Sequence, residues 1–345
     1  MSFQRFNRAE DIIENQRTKV TSGLWTGGGT DLTTFFTASA TIGEQSGSFL
    51  DIYDKVAGTA AREVQFSIGY ANINGAGSSG NSTKSTLGRR QSRALYGQFR
   101  NLLLAPNTDE FDFGQSTYTE ANEDFYFISF NRARMREKVN PGNWELHLDG
   151  AANKVRLIDD SVANPTGNTG QGGRVFNVIS GSIADRTPTI SAAHATLTTN
   201  TGSFGLFYPD LGIILLNAKR LDAGGGPADI TTARSADAFD DNPRKLFNSI
   251  KEGANFTARR EEEISSTSFF CRVNNKRFNF SSNPTFATSS DGSLTQATFF
   301  KDPQTFITQV GLYNDTNELL AVAKLSKPLL NSYSREAIIK VKLDF

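Results

Sequence analysis

From Thr305 to Phe345 the chain alternates apolar and polar residues with period two, and only strands place side chains that way. TFITQVGLYN sets Phe306, Thr308, Val310 and Leu312 on one side, with Ile307, Gln309 and Gly311 on the other. Asn314 to Asn317 suits a turn, because Asx side chains bond nearby backbone groups and tolerate left-handed conformations. Glu318–Lys324 reads as the returning strand. In Ala337–Phe345, Ile339, Val341, Leu343 and Phe345 alternate with Lys340, Lys342 and Asp344, so one face is apolar and the other charged. Chain ends fray unless tied down. A final Phe on the apolar face predicts an end enclosed in a sheet, where four such side chains contribute about 6–12 kcal/mol before entropy.

Upstream, Leu87–Leu104 is the clearest helix. Leu95, Phe99, Leu102 and Leu103 make an apolar stripe, and Arg89, Arg90, Arg93, Gln98 and Arg100 fall largely off it. Pro106 ends it. Pro243–Arg259 reads as a second helix through Leu246, Phe247, Ile250 and Ala254. Between them the pattern is β. Trp144–Asp149 and Lys154–Asp159 alternate around Gly150 and Asn153, which predicts a hairpin. Arg174–Ile183, Phe204–Tyr208 and Gly212–Asn217 continue the β character until Gly224–Pro227 breaks it. Ser268–Val273 and Lys276–Phe280 flank Asn274 and Asn275 as a tight hairpin. Residues 1–20 are polar and charged around Phe3, Phe6, Ile12 and Ile13, which fits a frayed end, a short helix or an arm gripping a neighbour. The pattern predicts a mainly β, α+β chain: antiparallel sheets in a β-sandwich body, two packed helices and long loops. The expected domain plan is an N-terminal arm (1–20), a β-rich body from 21–140 and 221–345, and an inserted β module (141–220).

Composition narrows the chemistry. Among 345 residues, 36 basic side chains balance 36 acidic ones, so no net field draws nucleic acid. Zero net charge also favours association. A single cysteine, Cys271, excludes an intrachain disulfide framework and a cysteine-rich metal site, and in its strand it reads as a buried inert thiol. The N-terminal MSFQRFNRAEDIIENQR is charged throughout and has no apolar signal-peptide region. The longest apolar run, near Ile213–Leu216, falls far short of the ~20 residues of a membrane helix.

Motifs for chemistry are missing where they are sought. His147, on the polar side of a strand, and His194, in a loop, have no neighbouring nucleophile and no HExxH spacing. Gly75 and Gly80 match the glycine spacing of a phosphate loop, but Asn81 stands where a lysine is needed. Carboxylates at Glu120, Glu123 and Asp124, at Asp159–Asp160 and at Glu261–Glu263 read as solvated turns or helix ends. A hydrolase would need two of them opposed across a cleft. No catalytic residue, metal ligand or cofactor is expected. The remaining candidates are contact residues: Trp144, Phe207 and Tyr208, which serve either a β core or an interface, and Ile339, Val341, Leu343 and Phe345 at the C-terminal end.

Several stretches carry a family likeness: FITQVGLYNDTNELLAVAKLSKPLL (306–330) with the AIIKVKLDF that follows, RALYGQFRNLLLAP (93–106), FYFISFNRARMREKVNPGNWELHLDG (125–150), FGLFYPDLGIILLNA (204–218) and FFCRVNNKRFNFSSNPTF (269–286). They resemble virion structural proteins of T-even-type and cyanophage-type contractile-tailed phages. The C-terminal strands look like the last strands of baseplate wedge subunits. None of these stretches is a catalytic signature, so the resemblance implies a non-enzymatic virion subunit, made in the host cytoplasm and acting in assembly. It implies contacts with other tail or baseplate proteins and with its own copies, most simply as a dimer, without nucleic acid or membrane. The alternative is a receptor- or glycan-binding fibre or capsid-decoration protein, and a tail hydrolase is a third reading.

Overall fold

The computed structural model describes residues 4–37, 49–75, 85–114, 123–149, 154–191, 203–222, 241–288 and 290–345, and for 85–90 and 241 the helical backbone alone. In chain order the elements are α1 (Arg8–Asp11), β1 (Ile12–Gly23), β2 (Asp31–Leu32), β3 (Phe49–Tyr53), β4 (Val64–Asn72), α2 (Ser85–Leu103), β5 (Asp124–Phe130), α3 (Arg132–Met135), β6 (Lys138–Asp149), β7 (Lys154–Asp159), β8 (Asn168–Gly170), β9 (Gly173–Ala184), β10 (Thr187–Ile190), β11 (Gly205–Tyr208), β12 (Ile213–Asn217), α4 (Ala218–Asp222), α5 (Asp241–Gly253), β13 (Phe256–Val273), β14 (Thr305–Tyr313), β15 (Leu319–Asn331) and β16 (Ala337–Asp344). The chain is mainly β, an α+β fold of antiparallel sheets. It divides into a larger unit, Val20–Glu262, and a smaller one made of Met1–Lys19 and Glu263–Phe345. The chain passes from one to the other inside β1 and again inside β13.

In the larger unit the strands run β13-β6-β7-β9-β11-β12-β5-β4-β3 across one sheet. Its centre is buried on both faces, which is why β5 (DFYFISF) and β12 (IILLN) are apolar runs and not alternations. Phe125 and Phe127 of β5 join a cluster with Tyr96 and Leu103 of α2 and with Phe111 and Phe113. Tyr126, Ile128 and Phe130 point the other way, into a core with Leu246, Phe247 and Ile250 of α5. The two expected helices thus cover opposite faces. Trp25 anchors the second core: its indole N–H donates to the Phe256 carbonyl at 2.8 Å, and its ring lies 5.0 Å from that of Phe256.

Several expectations are corrected here. The apolar stripe of α2 holds at Leu95, Phe99 and Leu103 and gains Tyr96, while Leu102 is exposed. The second helix stops at Gly253, not Arg259. Any side chain at 253 would sit 2.1 Å from the His147 carbonyl oxygen, and Ala254 adopts a left-handed φ of +53°. Phe256 then opens a strand of 18 residues where helix was expected. The β6–β7 hairpin forms as read, with Leu146 opposite Leu157 and His147 opposite Arg156; its connection, 150–153, lies outside the described residues. Residues 141–220 do not make a separate module. Their strands β6 and β12 pair directly with β13 and β5, so they form the middle of the larger unit's own sheet.

The smaller unit gathers both ends of the sequence. Residues 4–19 are held there, neither frayed nor a free arm. Asp11 is 6% exposed and accepts from Arg272 Nε at 2.6 Å and from the Asn7 N–H at 2.8 Å. The Phe6 ring lies 5.7 Å from Phe269. Strand β16 pairs with the second half of β13, and β14 with β15 forms a separate two-stranded ribbon. Ile339, Val341, Val273 and Leu312 centre a third core, smaller than the other two. The expected Lys276–Phe280 strand is absent; that segment is irregular.

Candidate interaction surface

Exposed apolar side chains are unevenly shared. Of the sixteen large apolar residues that stand out as exposed among those described, eleven lie in the smaller unit. The densest group is on the β14–β15 ribbon, where Tyr313, Leu319, Leu320 and Val322 are neighbours by register.

Two register shifts build that group. The first lies between Ile307 and Gln309. Thr308 alone stands there against residues 325–328 of β15, and an odd number of extra residues swaps the faces beyond it. Ile307, Val310 and Leu312 therefore all pack into the small core, while Phe306 is 62% exposed. The simple alternation through Phe306, Thr308, Val310 and Leu312 is corrected accordingly. The second shift, between Leu312 and Tyr313, leaves Leu320 without a partner opposite it, and it is 67% exposed. Gly311 makes room on the same outer face. A Cβ there would meet the Tyr313 ring at 2.9 Å and Leu319 at 3.2 Å.

The turn joining the two strands is rigidly bonded, as expected from its Asx residues. Asn314 Oδ1 accepts from the N–H groups of Thr316 (3.1 Å) and Glu318 (2.7 Å), and its Nδ2 donates to Glu318 Oε2 at 2.7 Å. Asn317 supplies the left-handed residue, with φ +64°. A two-stranded hairpin is marginal in water on its own. Here one face is packed and the other shows apolar side chains to solvent. Contiguous exposed apolar patches of this kind mark interaction sites.

The sequence candidates divide between core and edge. Trp144, Phe207 and Tyr208 are buried in the larger unit, with the Trp144 ring 5.2 Å from Phe207, and they are core rather than contact surface. Ile339 and Val341 are buried, Leu343 is half-buried, and Phe345 is 76% exposed. The chain's last Phe is not enclosed: β16 lies at an edge. The Leu319–Leu320 adjacency was the available signal for the exposed patch, since consecutive strand residues cannot face one core.

The carboxylates work in the framework. Asp159 and Asp160 are buried, not solvated. Asp159 accepts from the N–H groups of Gly142 (2.8 Å) and Ser161 (3.0 Å), and Asp160 from the Asn177 N–H and Nδ2. Burial pushes both pKa values up. Glu261 lies in β13 and pairs with Lys138 at 3.1 Å with both side chains largely buried. His147 is half-buried against Glu145, whose other oxygen accepts from the Ile183 N–H. Cys271 is half-buried, and burial pushes its thiol up, away from the reactive thiolate. His194, Glu120 and the stretch from Gly80 to Asn81 lie outside the described residues. Among the described residues no group of three or more His, Cys, Asp or Glu is placed to hold a metal, and no helix is long and apolar enough to cross a membrane. No family model, curated protein or solved structure matches the chain.

Proposed function

We propose that the chain is a non-enzymatic structural subunit of a contractile-tailed phage virion, a baseplate wedge component that works in assembly. What supports this is the outer face of the β14–β15 ribbon. It exposes Tyr313, Leu319, Leu320 and Val322 from the same segment whose sequence resembles the tail proteins. An apolar patch beside a rigid turn is a contact surface prepared in advance, so little ordering entropy is lost on docking. A balance of 36 basic and 36 acidic residues adds no long-range repulsion between subunits. The subunit pairs as a dimer or joins another tail protein through this surface.

The test is Leu320→Glu with Val322→Glu in a phage-producing strain, followed by locating the subunit in a particle map. The expected result is a variant that melts like the parent, sediments as a smaller species, and is missing from particles. Normal incorporation of the variant, or turnover of peptidoglycan or ATP by the parent chain, would overturn the assignment.

A further inference from the structure

We infer that the outer edge of β16 binds an extended segment of another protein, one in which acidic and apolar residues alternate. This does not depend on the tail-protein assignment; it follows from the strand itself.

Residues Ala337 to Asp344 pair with Val273 to Ser266 without a register shift. The Phe345 N–H donates to the Ser265 carbonyl at 2.8 Å. Antiparallel pairs alternate between bonded and non-bonded positions. The N–H and C=O groups of Ile338, Lys340, Lys342 and Asp344 therefore point away from β13, and among the described residues no strand pairs with them. The unit's other open edges are interrupted. β1 carries Asn15 at φ +57°, β14 has its shift at Thr308, and β15 carries Pro328 and an unpaired Leu320. Those are the usual devices that stop strands from adding to an edge. β16 has no left-handed residue, register shift or proline, and its two edge lysines act through charge alone.

What β16 has is charge on one face. Lys340 and Lys342 are exposed; Lys342 meets its own neighbour Asp344 at 2.8 Å, and Lys340 stands 5.8 Å from the Phe270 ring centre. These lysines select a partner. A second copy of β16 added antiparallel sets lysine against lysine in any register that keeps most of the strands overlapped, and like charges opposite one another destabilise pairing. An acidic strand meets both lysines favourably. On the opposite face, Ile339, Val341 and Leu343 line the small core, so alternate apolar residues of the incoming strand extend that core. Main-chain bonds then supply affinity, and side-chain alternation supplies specificity.

The experiment uses the full-length chain and short fluorescent peptides: alternating Glu and Val, the same composition with the glutamates grouped, and alternating Lys and Val. Fluorescence anisotropy at low and high salt reads binding. The alternating Glu peptide is expected to bind best, to weaken with salt, and to lose binding when N-methylated at alternate residues. Lys340→Glu with Lys342→Glu weakens it about tenfold and admits the Lys peptide, with circular dichroism confirming that the variant is folded. Equal binding of the grouped peptide, unchanged binding by the charge-reversed variant, or no binding by any peptide would each overturn the inference.

Discussion

Asp159 puts a carboxylate where solvent cannot reach it, against the N–H groups of Gly142 and Ser161. Gly142 sits at φ +76°, where its N–H bonds no neighbouring strand and needs this acceptor. Asp159→Ala orphans both donors and is expected to cost about 1–3 kcal/mol for each. Asp159→Asn keeps an acceptor and removes the buried charge, so it loses less. Urea unfolding of the two variants gives the ordering, and equal losses would show that charge matters more than acceptor geometry. Phe345→Ala, by contrast, changes stability by less than about 0.5 kcal/mol, since that ring is exposed. The same melts check it.

Among the elements, α5 depends on one glycine. Gly253 lies against the backbone of β6, and a methyl group there must displace the His147 carbonyl. Gly253→Ala is expected to cost about 1–3 kcal/mol or more through overpacking, with Leu102→Ala on α2 as a near-neutral control. For β16, Val341→Ala removes a buried side chain and costs about 1–3 kcal/mol, read as earlier hydrogen exchange in β13 and β16. The alternating strands of the C-terminal stretch and the β6–β7 hairpin were legible because each has one wet face. The extent of β13 was not. FTARREEEISS is polar on half-exposed positions and so carries little periodic signal. The shift at Thr308 is marked only by Pro328, on the strand opposite, yet it decides which residues of β14 are buried. Nor was the burial of Asp159 and Asp160 legible, because their partners include Gly142 and Asn177, each 17 residues away from the carboxylate it bonds. The exposed patch was half visible, in two adjacent leucines.

Across the molecule, most of the shifted carboxylates of the two units move in opposite directions. In the smaller unit, Asp11 is held below the usual carboxylate range by the Asn7 N–H and Arg272, Asp344 by Lys342 and Ser266, and Asp291 falls to about 2 through Thr288 and Ser293. A lowered folded pKa gives stability that is complete above the unfolded value of about 3.9 and drains as pH falls through the folded one. In the larger unit, burial raises Asp159 and Asp160. Their contribution is complete below the unfolded value and is lost as pH rises through the folded one. Glu145 offsets part of this: burial raises it, but bonds from His147 and Ile183 leave it lowered. Acidification from about pH 5 toward 2 is therefore expected to loosen the smaller unit first. Both tryptophans, Trp25 and Trp144, are in the larger unit. Circular dichroism should thus change before tryptophan fluorescence, and coincident transitions would sink the prediction.

The smaller unit is assembled from the two ends of the sequence, with 20–262 between them. On the ribosome, residues 1–19 emerge before their partners in 263–345 exist. At about 5–20 residues per second, the 83 residues of 263–345 take roughly 4–17 s to follow the larger unit out. The larger unit can fold from a continuous segment in that interval, while β1 waits with one end unmatched. The ribbon and the β16 edge become competent only when synthesis has passed Ala337–Asp344. The proposed contacts can therefore form only after residues 337–344 have left the ribosome.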